Sequence, residues 1–223
     1  MSLHNTFQHF RTIRAHRSHV RRACFAMGLY RQGLLHDLSK YAPIEFRAGR
    51  LYYQGDRSPN NREREVEGLS NAWLHHKGRN RHHFEYWIDY RLNDERIIGG
   101  TKIPKIYIAE MIADRIAASK VYLKEGYSDT AAFIYLEKSA ERLWFVQPEV
   151  IDQLRYLLGM VAVKGEAETF SYIRRIFLGR KKEPWTRPAD FDTIIQIARE
   201  KATKDVVAIA AVEKKQRADS VSA

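Results

Sequence analysis

Apolar residues recur along most of this chain at steps of three and four, the spacing that puts side chains on one face of an α-helix. From Thr6 to Leu29 the inward stripe runs Ile13, His16, Val20, Ala23/Cys24 and Met27, so His16 faces a core while His19 turns toward Arg22. A short second helix is predicted over Arg31 to Leu38, carrying His36-Asp37 near its C-terminal end. The segment Ser39-Lys40-Tyr41-Ala42-Pro43 breaks it, and Pro43 suits the first turn of a third helix reaching about Tyr53. Gln54 to Asn61, with Gly55, Asp56, Ser58, Pro59 and Asn60, reads as a loop.

The next helix is expected over Arg62 to His76. Its stripe is Val66, Leu69, Trp73 and His76, which turns His76 inward and His75 away. After a turn at Lys77-Gly78-Arg79-Asn80, the run from His82 to Trp87 opens another helical piece, and Asn93 to Lys102 reads as a loop around Gly99-Gly100. Pro104 starts a helix to about Lys124 with Tyr107, Glu110/Met111, Asp114, Ala117/Ala118 and Val121 on one face. Further helices are predicted near Asp129 to Phe145, Pro148 to Val163 and Glu166 to Leu178. A basic, proline-containing linker, Arg180 to Pro188, then leads to a last helix over about Ala189 to Lys215. No alternating Val/Ile/Thr run argues for a sheet. The pattern therefore predicts an all-α fold, with the chemistry in residues 1–164 and a helical extension over 165–223.

Composition changes this picture little. A hydrophobic content of 44% with 29% charged residues fits a globular chain able to bury a core. The single cysteine, Cys24, excludes an internal disulfide and fits a reducing compartment. With no signal-type N-terminus and no run approaching a membrane span, a cytoplasmic location is expected. The net charge of +11 thickens over Arg11 to Arg31 and Arg174 to Arg187, which favours anionic partners. A phosphorylated small molecule and nucleic acid both fit that charge, but no zinc-finger, recognition-helix or aromatic RNA-binding signature accompanies it. A membrane partner is not expected, and the oligomeric state is not legible.

Candidate chemistry gathers around His36-Asp37. A buried aspartate is costly unless a partner or a metal neutralises it. Two adjacent ligands reaching one cation would explain the pair. His16 lies upstream, His75, His76, His82 and His83 cluster downstream, and Asp114 sits in an apolar helix beyond. Taken singly, each has a plainer reading: a satisfied core histidine, a polar residue beside a turn, an aspartate paired with an arginine, a lysine (Lys40) at a helix end. One shared metal site accounts for all of them together.

The order His16 … His36-Asp37 … Asp114 resembles the signature of the HD superfamily of metal-dependent phosphohydrolases. Its local context is Leu34-Leu35-His36-Asp37-Leu38-Ser39-Lys40 and Glu110-Met111-Ile112-Ala113-Asp114. More closely, Ala72-Trp73-Leu74-His75-His76 … Asn80-x-His82-His83-x-x-Tyr86-Trp87 is similar to an uncharacterised HD-like family of phages and bacteria, over about residues 10 to 160. The resemblance implies a helical bundle with His16, His36, Asp37 and Asp114 as ligands of a first metal. Asp37 would bridge to a second, held by His76 and His83 ahead of His75 and His82. Asp37 would be catalytic. Lys40 would serve both catalysis and substrate phosphate, as in His-Asp-x-x-Lys subgroups, with His82 beside the substrate. The short spacing between the two histidine pairs departs from the superfamily pattern.

Imidazole and carboxylate ligands suit one or two ions of Mn, Fe, Co or Zn. Such ions lower the pKa of bound water toward ~7. The expected activity is hydrolysis of a phosphomonoester or phosphodiester in a nucleotide-like molecule. Two rivals share the scaffold: a di-iron oxygenase, and a non-catalytic module binding nucleic acid or protein through its basic surface.

Overall fold

The computed structural model describes residues 3–92, 97–179 and 183–221, with side chains described through residue 211. Ten α-helices in this part of the chain build the molecule: α1 Leu3–Ala26, α2 Tyr30–Leu35, α3 Pro43–Leu51, α4 Pro59–Glu67, α5 Asn71–Lys77, α6 Lys105–Leu123, α7 Ala131–Ser139, α8 Pro148–Lys164, α9 Glu166–Tyr172 and α10 Phe191–Val221. The fold is all-α, as the periodicity predicts, apart from one small hairpin. None of these helices is long and apolar enough to cross a membrane.

Helix α6 is the axis of the structure. Ile108, Ala109, Met111, Ile112, Ala113, Ile116 and Ala117 are all buried, which leaves it little solvent face. It packs against α1 through Val20, Cys24 and Met27, and against α7 and α8 through Phe133, Leu136, Leu154, Leu157 and Leu158. Helix α10 lies across α8 and α7. Gly159 permits the approach, since a Cβ there would stand 3.1 Å from Ile194 Cγ2 and 3.4 Å from Ile195 Cδ1. Ile194, Ile195, Ala198 and Ile209 of α10 thus belong to the same hydrophobic cluster as the helices before residue 164.

Beyond shifted helix ends, the structure departs from the sequence reading in three places. The single helix expected over Arg62 to His76 is two, α4 and α5. Gly68 ends α4 in the left-handed region (φ 76°), and Ser70 caps α5 by accepting a hydrogen bond from the Trp73 amide at 3.0 Å. Val66 and Leu69, on the expected inward stripe, are therefore exposed. The segment from His82 to Trp87 is a turn followed by a 3₁₀ turn, Phe84–Trp87. Finally, β1 Ile88–Tyr90 pairs antiparallel with β2 Ile98–Gly100, in the stretch read as a loop. Of the two expected connections, residues 93–96 and 180–182 lie outside the described residues.

Helix α3 meets α1 at Gly49, where a Cβ would fall inside the His9 ring. Gly49→Ala must therefore push α3 off α1. A loss of about 1–3 kcal/mol in urea unfolding is expected, the range for overpacking a tight contact. An unchanged midpoint and slope would show that His9 moves aside freely.

Candidate metal centre

The pair His36-Asp37 is delivered by the end of a helix. α2 stops at Leu35, three residues earlier than expected, because His36 is extended (φ −49°, ψ 127°) and Asp37 is left-handed (φ 54°). Aspartate is among the few residues that tolerate that conformation. The chain then makes a 3₁₀ turn, Leu38–Tyr41, which returns Lys40 over Asp37. Nζ of Lys40 lies 2.6 Å from Asp37 Oδ2. Arg17 pins the bend from outside, donating to the carbonyls of His36 (2.9 Å) and Leu34 (3.1 Å).

Two groups that could hold a metal ion meet at Asp37: His16, His36, Asp37 and Asp114, and Asp37, His76, His82 and His83. Within each group the ligand atoms lie within 4.8 Å of one another. The carboxylate is divided between them. Oδ2 faces His16 Nε2 (3.4 Å) and His36 Nε2 (3.3 Å), while Oδ1 faces His76 Nε2 (3.3 Å) and His82 Nε2 (3.2 Å). Asp114 closes the first group, with Oδ1 3.0 Å from His16 Nε2 and 3.4 Å from His36 Nε2.

Two glutamates behind the histidines fix which ring nitrogen is available. Glu110 Oε1 stands 3.0 Å from His36 Nδ1 and 3.1 Å from His82 Nδ1, and Glu45 Oε2 stands 2.8 Å from His76 Nδ1. An ionised carboxylate only accepts, so each Nδ1 carries a proton and Nε2 is the nitrogen turned toward Asp37. Apart from its ion pair with Lys40, the Asp37 carboxylate forms no hydrogen bond, and neither do Nε2 of His82 and His83. Buried polar atoms are normally satisfied. Here several crowd together without bonding, which is the arrangement a cation between them would satisfy. The donor set fits a metal.

Electrostatics agree with the crowding. Burial disfavours the Asp37 carboxylate, but His36 and Lys40 outweigh it and hold its pKa well below the usual range. Burial likewise disfavours the Lys40 ammonium, and Asp37 overrides it and raises its pKa. At His83 burial prevails, helped by His82 and His76, and its imidazole is kept neutral.

The structure brings together His16, His36, Asp37, His76, His82, His83, Asp114 and Lys40 from the sequence reading. It does not bring His75 with them. His75 Nδ1 binds Glu45 Oε1 at 2.6 Å, and the residue is in neither ligand group. His82, expected beside the substrate and as a further choice for the second ion, points Nε2 at Asp37 within the second group. The holding roles of Glu45 and Glu110 were missed. Glu110 offered a signal, four residues before Asp114 on one helix face; Glu45 offered none, because its contact depends on how α3 packs on α5.

The centre opens into a cavity of about 590 Å³. Its walls carry Lys40, Arg57, Arg115 and Tyr122 together with apolar side chains such as Ile134 and Ile209.

No curated protein and no solved structure matches this chain. A family model does match, over residues 5–160, and that segment contains every ligand and both glutamates. The chain belongs to that family, a family of unknown function (DUF5662).

Proposed function

We propose that this protein is a metal-dependent phosphohydrolase of the HD type, acting on a phosphomonoester or phosphodiester in a nucleotide-like molecule. The observation that carries the reading is Asp37, one carboxylate with an oxygen toward each of two histidine-rich groups and a lysine against it. His16, His36, Asp37 and Asp114 would hold one ion, and Asp37, His76, His82 and His83 a second. Nitrogen and carboxylate ligands suit Mn, Fe, Co or Zn. Bound there, such ions supply an activated water and neutralise phosphoryl oxygens.

The chain's own residues do the rest. Asp37 holds Lys40 at the mouth of the centre, where its ammonium meets an incoming phosphate. Glu110 and Glu45 keep the imidazoles aimed, so no ligand has to reorient when substrate arrives. The cavity has room for a nucleotide-sized ligand.

The test begins with protein purified without chelator, its metal content, and turnover of p-nitrophenyl phosphate, its diester and nucleotides. Lys40→Ala should keep its metal and lose kcat by about 10²-fold, the scale of removing one charge-stabilising donor. A metal-free Lys40→Ala protein, or full activity, removes Lys40 from this role. Bound iron with an O₂-dependent optical change on reduction, and no phosphatase turnover, would replace the hydrolase with an oxygenase.

A further inference from the structure

We propose that Arg115 forms a second anion subsite in the cavity, one that takes a phosphate of the ligand other than the phosphate at the metal centre. In calling that ligand a substrate, the inference rests on the phosphohydrolase reading; the anion site itself does not.

Arg115 follows the ligand Asp114 on α6, so its side chain leaves the helix about 100° further round and lines the same cavity. The guanidinium carbon sits over the Phe84 ring, 5.2 Å from its centroid. That ring contact is its partner: among the described residues the side chain forms no ion pair and no hydrogen bond.

The neighbouring cations differ. Lys40 is paired with Asp37, and Arg57 with Glu65 at 2.8 Å. Lys138, also on the cavity wall, is exposed to solvent, which stabilises it without a partner. Arg115 is half-buried and, among the described residues, has no such anionic partner. An arginine cannot shed its proton as a buried lysine can. A partly desolvated charge without an anion is stabilised when one arrives. The planar fork matches two phosphate oxygens at once, and the Phe84 face beneath it supports the guanidinium. The ligands selected would carry two phosphates: a nucleoside bisphosphate, or a phosphodiester with a neighbouring phosphate.

The experiment compares binding of adenosine 3′,5′-bisphosphate and adenosine 5′-monophosphate to the metal-loaded full chain by calorimetry, with turnover measured in parallel. The wild type should bind the bisphosphate about 10–100-fold more tightly, the value of a charge-assisted bidentate contact. Arg115→Gln should bring the bisphosphate down to the monophosphate level and leave the monophosphate unchanged. Arg115→Lys, which keeps the charge and loses the fork, should fall between, and its ratio carries the test if the glutamine variant does not fold. The same affinity for both ligands in wild type, or an equal loss for both in the variants, overturns the subsite. Tight, Arg115-dependent binding of the bisphosphate without turnover would keep the subsite and remove the hydrolase reading. Turnover without preference for the bisphosphate would do the reverse.

Discussion

Asp37→Ala will leave the purified protein without metal at either position. Of the two groups that meet at Asp37, each other ligand belongs to one and this carboxylate to both. The thermal consequence is separate and large. An ion present at 100 times its dissociation constant stabilises the native state by about 2.7 kcal/mol, so the rise in Tm on adding metal should vanish. Part of any loss in the metal-free protein will come from the backbone, because alanine at φ 54° costs roughly 1–2 kcal/mol. Asp37→Asn removes that term, since asparagine tolerates the left-handed region, and it still weakens the ligand. Metal content by elemental analysis decides the matter. Wild-type occupancy in both variants would sink the centre as described.

Glu110→Ala should be the next most damaging change, although Glu110 is in contact with two ligands and is not read as one of the eight centre residues. Its Oε1 meets the Nδ1 protons of His36 and His82, one from each group. Without it both rings lose their fixed tautomer and aim. Losing the partner behind a ligating histidine typically costs about 10–100-fold in metal affinity. Here the loss should appear in both steps of a metal titration. Glu45→Ala provides the contrast: Glu45 touches His75 and His76, so only the second group's step should weaken. Identical titrations of wild type and Glu110→Ala would leave the glutamate a spectator.

How much of this was legible depended on how local each signal was. The stripes of α1, α6 and α8 run long enough for the helical period to be unmistakable. His16 is read correctly as inward because Ile13, Val20, Ala23 and Cys24 of α1 agree with it. The strands Ile88–Tyr90 and Ile98–Gly100 are three residues each, too short for alternation to register. The break at Gly68–Ser70 was hidden because Val66 and Leu69 continue a period across it, although a glycine two residues before a serine is a stop followed by a cap. His75 and His76 illustrate a finer limit. Both stand at a helix end, and which of them joins the centre is set by Glu45, thirty residues away in sequence and seated on another helix.

Residues 165–223, expected as a helical extension without the chemistry, still reach the cavity: Ile209 stands on α10, well beyond residue 160, and forms part of its wall. The segment that matches the family model carries the whole ligand set, while the enclosure around it is completed by a helix from outside that segment. The ligand set and part of its enclosure thus lie in different stretches of chain. A relative with a different C-terminal helix would keep the ligand set and present a cavity of another shape.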